Sequence, residues 1–119
     1  MTSEGLHEPA ELLGDEVIDR HRAIISLMEE LEAIDWYDQR IAATKDPELR
    51  RVLTHNRDEE KEHAAMTLEW LRRRDPVLDQ QLRQHLFREG PIEDEEEEKP
   101  PPGQASDGSL GLRKLKESA

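Results

Sequence analysis

The fold is best read from the stretch Asn56-Arg57-Asp58-Glu59-Glu60-Lys61-Glu62-His63. It places polar groups in the middle of a packing seam, a helix face that is otherwise suited to packing against another helix. Glu60 and His63 are three residues apart and therefore share one face of a helix. The seam keeps alternating three- and four-residue steps through Leu49, Leu53, Asn56, Glu60, His63, Thr67 and Trp70. A carboxylate and an imidazole turned toward a core must be hydrogen-bonded, neutralised or bound to a cation.

Start and stop signals on both sides of this stretch place the helices. Asp46-Pro47 is an N-cap followed by a first-turn proline, so the chain reverses there and a second long helix begins. Asp75-Pro76 repeats the signal for a short third helix, which is predicted to end at Gly90-Pro91. Pro9 suits the first turn of a helix that starts near Glu8. The pattern predicts an all-α fold, an antiparallel two-helix hairpin plus a short third helix.

Composition limits the possible functions. A net charge of −12 disfavours nucleic acid as a partner and favours cations. The absence of cysteine leaves only oxygen and imidazole as metal ligands, which suits iron or manganese better than structural zinc. No apolar run is long enough for a membrane span and no secretion signal is seen, so we expect a cytoplasmic protein. A helical unit this small buries little apolar surface alone, which favours association of several chains.

The chain divides into three predicted segments. Residues 1–90 are the helical hairpin domain. Residues 91–108 are predicted to be a disordered linker, because six consecutive acids at 93–98 are followed by three prolines. Residues 109–119 carry three leucines and three cations, and a compact apolar and basic segment after such a linker is typical of a docking motif.

The first helix carries a carboxylate where a leucine would be expected. Glu30 lies within one turn of Leu27 and Ile34, and two interpretations of it remain open, a metal ligand or an ordinary polar residue. Its neighbours Glu29 and Glu32 point to other faces, which favours a solvated charged surface.

Two aromatic residues follow Glu30 on the first helix. Trp36 and Tyr37 are interpreted as interface aromatics. Because Tyr37 shares the face of Glu30, its hydroxyl could also hydrogen-bond a ligand carboxylate.

The candidate ligands make up half of a known kind of site. A di-iron helix bundle needs one Glu from each of two helices and a Glu-x-x-His pair from each of two others. This chain supplies Glu30 and the pair Glu60 and His63, so two chains related by a two-fold axis would supply the full set. We therefore expect a homodimer that completes a ferritin-like four-helix bundle with the metals on its axis. The histidines without a matching partner set are interpreted as structural or surface residues: His21, His55 and His85.

Two longer motifs, MEELEAIDWYDQR at 28–40 and HNRDEEKEHAAMTLEWL at 55–71, closely resemble the encapsulated ferritins, the cargo proteins of encapsulin nanocompartments. The resemblance covers about His7 to Gly90 and resumes at 107–116. It implies a ferroxidase that oxidises Fe(II) to Fe(III) with oxygen for mineral storage inside the shell. It also implies a di-iron site formed only between two subunits, commonly five dimers in a ring, and an encapsulin-targeting peptide at 109–119.

The resemblance also assigns residues to sites. The positions that match the family's ferroxidase centre are Glu30, Glu60 and His63, with Tyr37 near them. The positions that match a peripheral site through which metal enters are Glu29 and Glu32, with Trp36 beside them. The acids at 93–98 have no counterpart in the family pattern.

Two other functions compete with this interpretation. The first is a non-enzymatic acidic helical adaptor or metal-binding cargo protein, in which the polar residues of the seam only set the register of the helices. The second is a rubrerythrin-like peroxidase, which is disfavoured because the chain has no cysteine to bind a rubredoxin-type iron.

Overall fold

The computed structural model describes residues 5–94, and every regular element among them is helical. The elements are a 3-10 helix at Ala10–Leu12, α1 at Gly14–Ala43, α2 at Pro47–Arg74 and α3 at Pro76–His85. Helices α1 and α2 pack against each other as a hairpin. The predicted all-α hairpin with a short third helix is confirmed. The segment predicted to dock, 109–119, and the linker beyond residue 94 lie outside the described residues.

The turn between α1 and α2 needs only three residues because side chains satisfy both helix ends. Thr44 Oγ1 donates to the carbonyl oxygen of Arg40 at 2.6 Å and closes α1. Asp46 accepts from the backbone N–H of Leu49 at 2.7 Å, and Pro47 occupies the first position of α2. The same device starts α3, where Asp75 accepts from the N–H of Leu78 at 3.0 Å. These contacts fix where each helix begins.

Two helix boundaries differ from the prediction. The first long helix was expected to start near Glu8, but Pro9 precedes the 3-10 helix and α1 begins only at Gly14, whose φ is +80°. Glycine takes this left-handed backbone without strain, so the helical path is interrupted at this residue. The third helix was expected to reach Gly90 and ends at His85. Phe87 has a φ of +58°, a left-handed backbone conformation that cannot continue a right-handed α-helix.

By their contacts the described residues divide into two units, one that ends at Leu82 and one that begins at Arg83. In the first unit Arg72 donates to Glu69 at 2.7 and 2.8 Å and also pairs with Asp79 of α3. Hydrogen bonds from Arg72 and then Arg73 lower the pKa of Glu69 to about 2.

In the second unit the residues after α3 form a hydrogen-bonded turn. The N–H of Asp94 donates to the carbonyl oxygen of Pro91 at 3.2 Å. His85 Nδ1 lies 3.1 Å from the carbonyl oxygen of Ile92, and Arg88 donates to that of Asp94. Within the first four residues of the predicted linker, Ile92 thus contacts the last residue of α3 and Asp94 contacts Arg88 just beyond it.

The hairpin has almost no core of its own. Among residues 5–94 only the apolar side chains of Ala64 and Leu71 are buried, with 8% and 5% of their surface exposed. Large apolar side chains that α1 and α2 leave exposed by 40% or more are Val17, Ile24, Met28, Leu31, Trp36, Leu49, Val52 and Met66. None of the described helices has both the length and the apolar character needed to cross a bilayer.

The cap of α2 gives a first prediction. Replacing Asp46 by Ala removes the acceptor of the Leu49 N–H, and we expect the free energy of unfolding to fall by about 1 kcal/mol. Asp46→Asn keeps an acceptor and should lose much less. Denaturant titrations at one fixed protein concentration make the comparison, because association would shift the values. Equal losses in the two variants would show that the cap does not stabilise the helix.

Candidate metal centre

Three side chains from the two long helices converge in the middle of the hairpin. Glu60 and His63 project from one face of α2 because they are three residues apart. Glu30 projects toward them from α1, which runs antiparallel to α2. Glu30 therefore faces the pair on α2, and its role as a metal ligand stays a prediction.

The three groups are close enough to share one cation. His63 Nδ1 lies 3.4 Å from Glu30 Oε1 and 3.4 Å from Glu60 Oε1. One oxygen or nitrogen atom from each residue lies within 4.8 Å of the other two. Among residues 5–94 this is the one group of three or more carboxylate or imidazole side chains whose ligand atoms lie within that distance of one another.

The electrostatics of the group disfavour a metal-free state with both carboxylates charged. Oε1 of Glu30 is buried and has no hydrogen-bond partner, although His63 Nδ1 is near it. Burial, followed by the negative charge of Glu60, raises the pKa of Glu30, while His63 acts in the opposite direction. A buried acceptor without a donor costs free energy, and a bound cation would remove that cost.

The donor types fit a cation such as Fe(II) or Fe(III). Carboxylate oxygens prefer hard cations and imidazole suits iron, so the set matches the expectation from the lack of cysteine. Nδ1 of His63 faces the carboxylates, and a cation held through this nitrogen would leave the ring proton on Nε2. The His63 side chain is 47% exposed while Glu30 and Glu60 are 23% and 28% exposed, so the cluster is open on the histidine side.

The other residues assigned by resemblance lie outside this group. Tyr37 is half-buried, and the guanidinium carbon of Arg40 lies 5.6 Å from its ring centre. Glu29 and Glu32 are exposed, as is Trp36 with 49% of its surface accessible. The charge of Glu29 is nevertheless close enough to contribute to the raised pKa of Glu30. No third carboxylate or imidazole among the described residues joins Glu29 and Glu32 as a ligand group.

The remaining histidines of the helices lie outside the group as well. His55 Nε2 pairs with Glu59 at 3.1 Å on the exposed surface of α2. His85 contacts the turn after α3, and His21 is half-buried on α1. The structural or surface roles expected for these three histidines stay predictions.

Sequence reasoning overlooked one ion pair next to the group. Arg57 Nη1 lies 2.9 Å from Asp38 Oδ1 and joins α2 to α1. The signal available in the sequence was the antiparallel register. In an antiparallel pair, a step toward the C-terminus of α1 is matched by a step toward the N-terminus of α2. If Glu30 faces His63, Asp38 on α1 is therefore expected to lie near Arg57 on α2.

A two-helix unit with an inward carboxylate and a Glu-x-x-His pair belongs to the ferritin-like class of helical proteins, in which paired helices supply such ligands. A family model described as EncFtn-like matches residues 5–89. The chain belongs to this family of encapsulated ferritin-like proteins, which confirms the resemblance in its sequence motifs.

Individual relatives support the assignment. The chain is 65% identical over 91 residues to an encapsulated ferritin-like protein of Rhodospirillum rubrum, a match that covers 76% of this chain and 65% of the relative. It thus spans just under two thirds of that relative's length. It is 51% identical over 109 residues to a ferritin-like protein of Thermotoga maritima, covering 92% and 96% of the two chains. A crystal structure of a Nitrosomonas europaea protein is 60% identical with a TM-score of 0.72, covering 76% and 99%.

The raised pKa of Glu30 gives a second prediction, for the metal-free protein. Between the ordinary pKa of 4.5 and the raised one, the folded chain binds more protons than the unfolded chain. Its stability therefore falls as pH rises through that window. Glu30→Gln should abolish this fall, so that the variant is more stable than the natural protein at neutral pH and similar to it below pH 4.5.

Urea titrations in the presence of a chelator, repeated across this pH range, measure the effect. Glu62→Gln serves as the control, because it removes the same charge from an exposed position on α2. A Glu30→Gln variant that is less stable than the natural protein at neutral pH would contradict the electrostatic argument.

Proposed function

We propose that this protein is a ferroxidase that oxidises Fe(II) to Fe(III) with oxygen at a di-iron site shared by two subunits. The observation that carries the proposal is the meeting of Glu30, Glu60 and His63 around a buried carboxylate oxygen that has no donor. An acceptor set of this kind, without thiolates, suits iron as the substrate.

The proposed site needs two chains. One chain offers two carboxylates and one imidazole, which is half of the ligand set of a di-iron helix bundle. A two-fold axis beside the open histidine side would bring a second copy of the same three groups. The second chain would also cover the exposed apolar side chains of α1 and α2. Dimerisation would thus supply both the missing ligands and the missing core.

The chain's residues have distinct tasks in this reaction. Two Fe(II) ions give one electron each to dioxygen, which takes up two protons and leaves as hydrogen peroxide. Glu30 and Glu60 would offset the added cation charge and favour Fe(III), the harder acid, and one of them would lie between the two ions. His63 would bind one ion through Nδ1. Tyr37 would hydrogen-bond a ligand carboxylate from the same face of α1.

The cellular setting also forms part of the proposal. A relative with 65% identity is named an encapsulated ferritin-like protein, and we propose that this chain too works inside an encapsulin nanocompartment in the cytoplasm. Residues 109–119 would bind the shell protein, with 91–108 as the linker to the hairpin domain at 1–90. Five dimers would form a ring, as the family resemblance implies. Glu29, Glu32 and Trp36 would form the peripheral site through which iron enters.

Removal of single ligands tests the proposed reaction. Glu30→Ala, Glu60→Ala and His63→Ala should each lower the initial rate of Fe(II) oxidation at least about tenfold, and their effects should not add because they serve one centre. Glu62→Ala, which changes an exposed carboxylate between Glu60 and His63, is the matched control and should oxidise iron normally. Absorbance of Fe(III) under air measures the rate.

The rival adaptor function predicts a different result in the same experiment. An adaptor would give no oxidation above that of the buffer, whichever variant is used. A natural rate in His63→Ala would contradict the ligand assignment even if the protein proves to be an enzyme.

Dilution tests whether the site is shared. Oxidation rate per subunit should fall when the protein is diluted until dimers dissociate, and added metal should promote association because it binds only the assembled form. Sedimentation with and without Co(II) gives the association state at each concentration. Full activity in a sample shown to be monomeric would rule out a site built from two chains.

Truncation tests the role of the tail. Deleting residues 109–119 should leave Fe(II) oxidation unchanged and abolish co-purification with a co-expressed encapsulin shell. Fusing the same residues to an unrelated protein should load that protein into the shell. The tail is not the targeting signal if the truncated chain enters shells at the normal level.

A further inference from the structure

One cross-helix ion pair lies close to the proposed metal centre. Arg57 Nη1 of α2 is 2.9 Å from Asp38 Oδ1 of α1. The guanidinium is held from its own helix as well, since its Nε lies 3.2 Å from Asp58 Oδ1. The Arg57 side chain is 23% exposed and that of Asp38 is 53% exposed. In the pair that Arg22 forms with Asp19 within α1, the two values are 72% and 54%, so the pairs differ in the burial of the arginine.

The pair follows the same antiparallel register as the metal ligands. Arg57 precedes Glu60 by three residues and therefore shares its side of α2. Asp38 follows Glu30 by eight residues, which is about two helical turns. Side chains of a helix lean toward its N-terminus, so Arg57 extends toward the interhelical turn and meets Asp38 there.

On the turn side of His63 the single hairpin has half-buried but no fully buried side chains, so an ionic contact there adds a constraint on the register that apolar burial does not supply. The two buried apolar side chains, Ala64 and Leu71, both lie on the C-terminal side of His63. No residue of α1 is buried, and none of α2 between Pro47 and His63 is. At the centre, the carboxylates of Glu30 and Glu60 face each other across the helices and repel when both are charged.

We infer that Arg57 and Asp38 form a register clamp, which holds α1 against α2 so that Glu30 lies opposite Glu60 and His63 before metal binds. Both are positioning residues, since they act on the ligands through the helices. The inference rests on the proposed function. A site held in place beforehand binds metal more tightly, because binding does not have to order the helices.

Binding of Co(II) tests the clamp. Cobalt reports on His and carboxylate ligands through its visible absorption, and it can be titrated into the full-length protein. Arg57→Met keeps the apolar stem and removes the charge, and Asp38→Asn removes the partner. Each should raise the Kd for Co(II) about tenfold, which corresponds to about 1.4 kcal/mol.

The chain offers a matched control in the pair Asp19 and Arg22, which has the same chemistry but joins residues of one helix. Asp19→Asn and Arg22→Met should leave the Kd within a factor of two. The double exchange Asp38→Arg with Arg57→Asp restores a pair of opposite charges and should recover most of the affinity. Circular dichroism and sedimentation at the titration concentration confirm that the variants are helical and equally associated.

The outcomes separate the clamp from the proposed function. If Arg57→Met bound Co(II) with the affinity of the natural protein while His63→Ala bound none, the clamp would be wrong and the proposed function would stand. Failure of the double exchange to recover affinity when both single variants lose it would also overturn it. If the natural protein showed no Co(II) binding that depends on His63, both the proposed function and the clamp would be wrong.

Discussion

The arrangement of this protein depends on one unfavourable contact, the approach of two carboxylates, Glu30 and Glu60, across a pair of helices. One oxygen of Glu30 is buried without a hydrogen-bond donor, and His63 is the basic group beside it. A folded chain keeps such a group only if something offsets its cost. A cation bound by all three residues would do so directly, which is the physical basis for proposing a metal centre at this cluster.

The small size of the hairpin limits how much apolar surface it can bury. Two helices cannot enclose a core, and the described residues bury only two apolar side chains. Ion pairs also join the helices to one another. Arg57 joins α2 to α1 and Arg72 joins α2 to α3. What the single chain lacks in buried surface and in ligands is what a second copy would supply.

The sequence predicted those parts of the structure that local chemistry controls. Asp46-Pro47 and Asp75-Pro76 marked the starts of α2 and α3 because a capping carboxylate and a first-turn proline act within a few residues. The pairing of Glu60 with His63 followed from helical spacing alone. The break at Gly14 and the stop near Phe87 were missed, because left-handed backbone at a helix end is one choice among several for those residues.

Contacts between helices were harder to foresee. Periodicity placed Glu30 on the apolar side of α1 but left open whether it faces the pair on α2, since that depends on how far one helix slides along the other. The ion pair of Arg57 with Asp38 depends on the same register. Family resemblance, rather than spacing, marked Glu29, Glu32 and Trp36, and these remain predictions.

Anomalous scattering from crystals of the full chain grown with iron would test the central claim most directly. A pair of iron peaks at a two-fold axis is the expected result, with contacts from Glu30, Glu60 or His63 of both subunits. Iron bound within one chain, or only at the acids of 93–98, would contradict a centre shared between two hairpins.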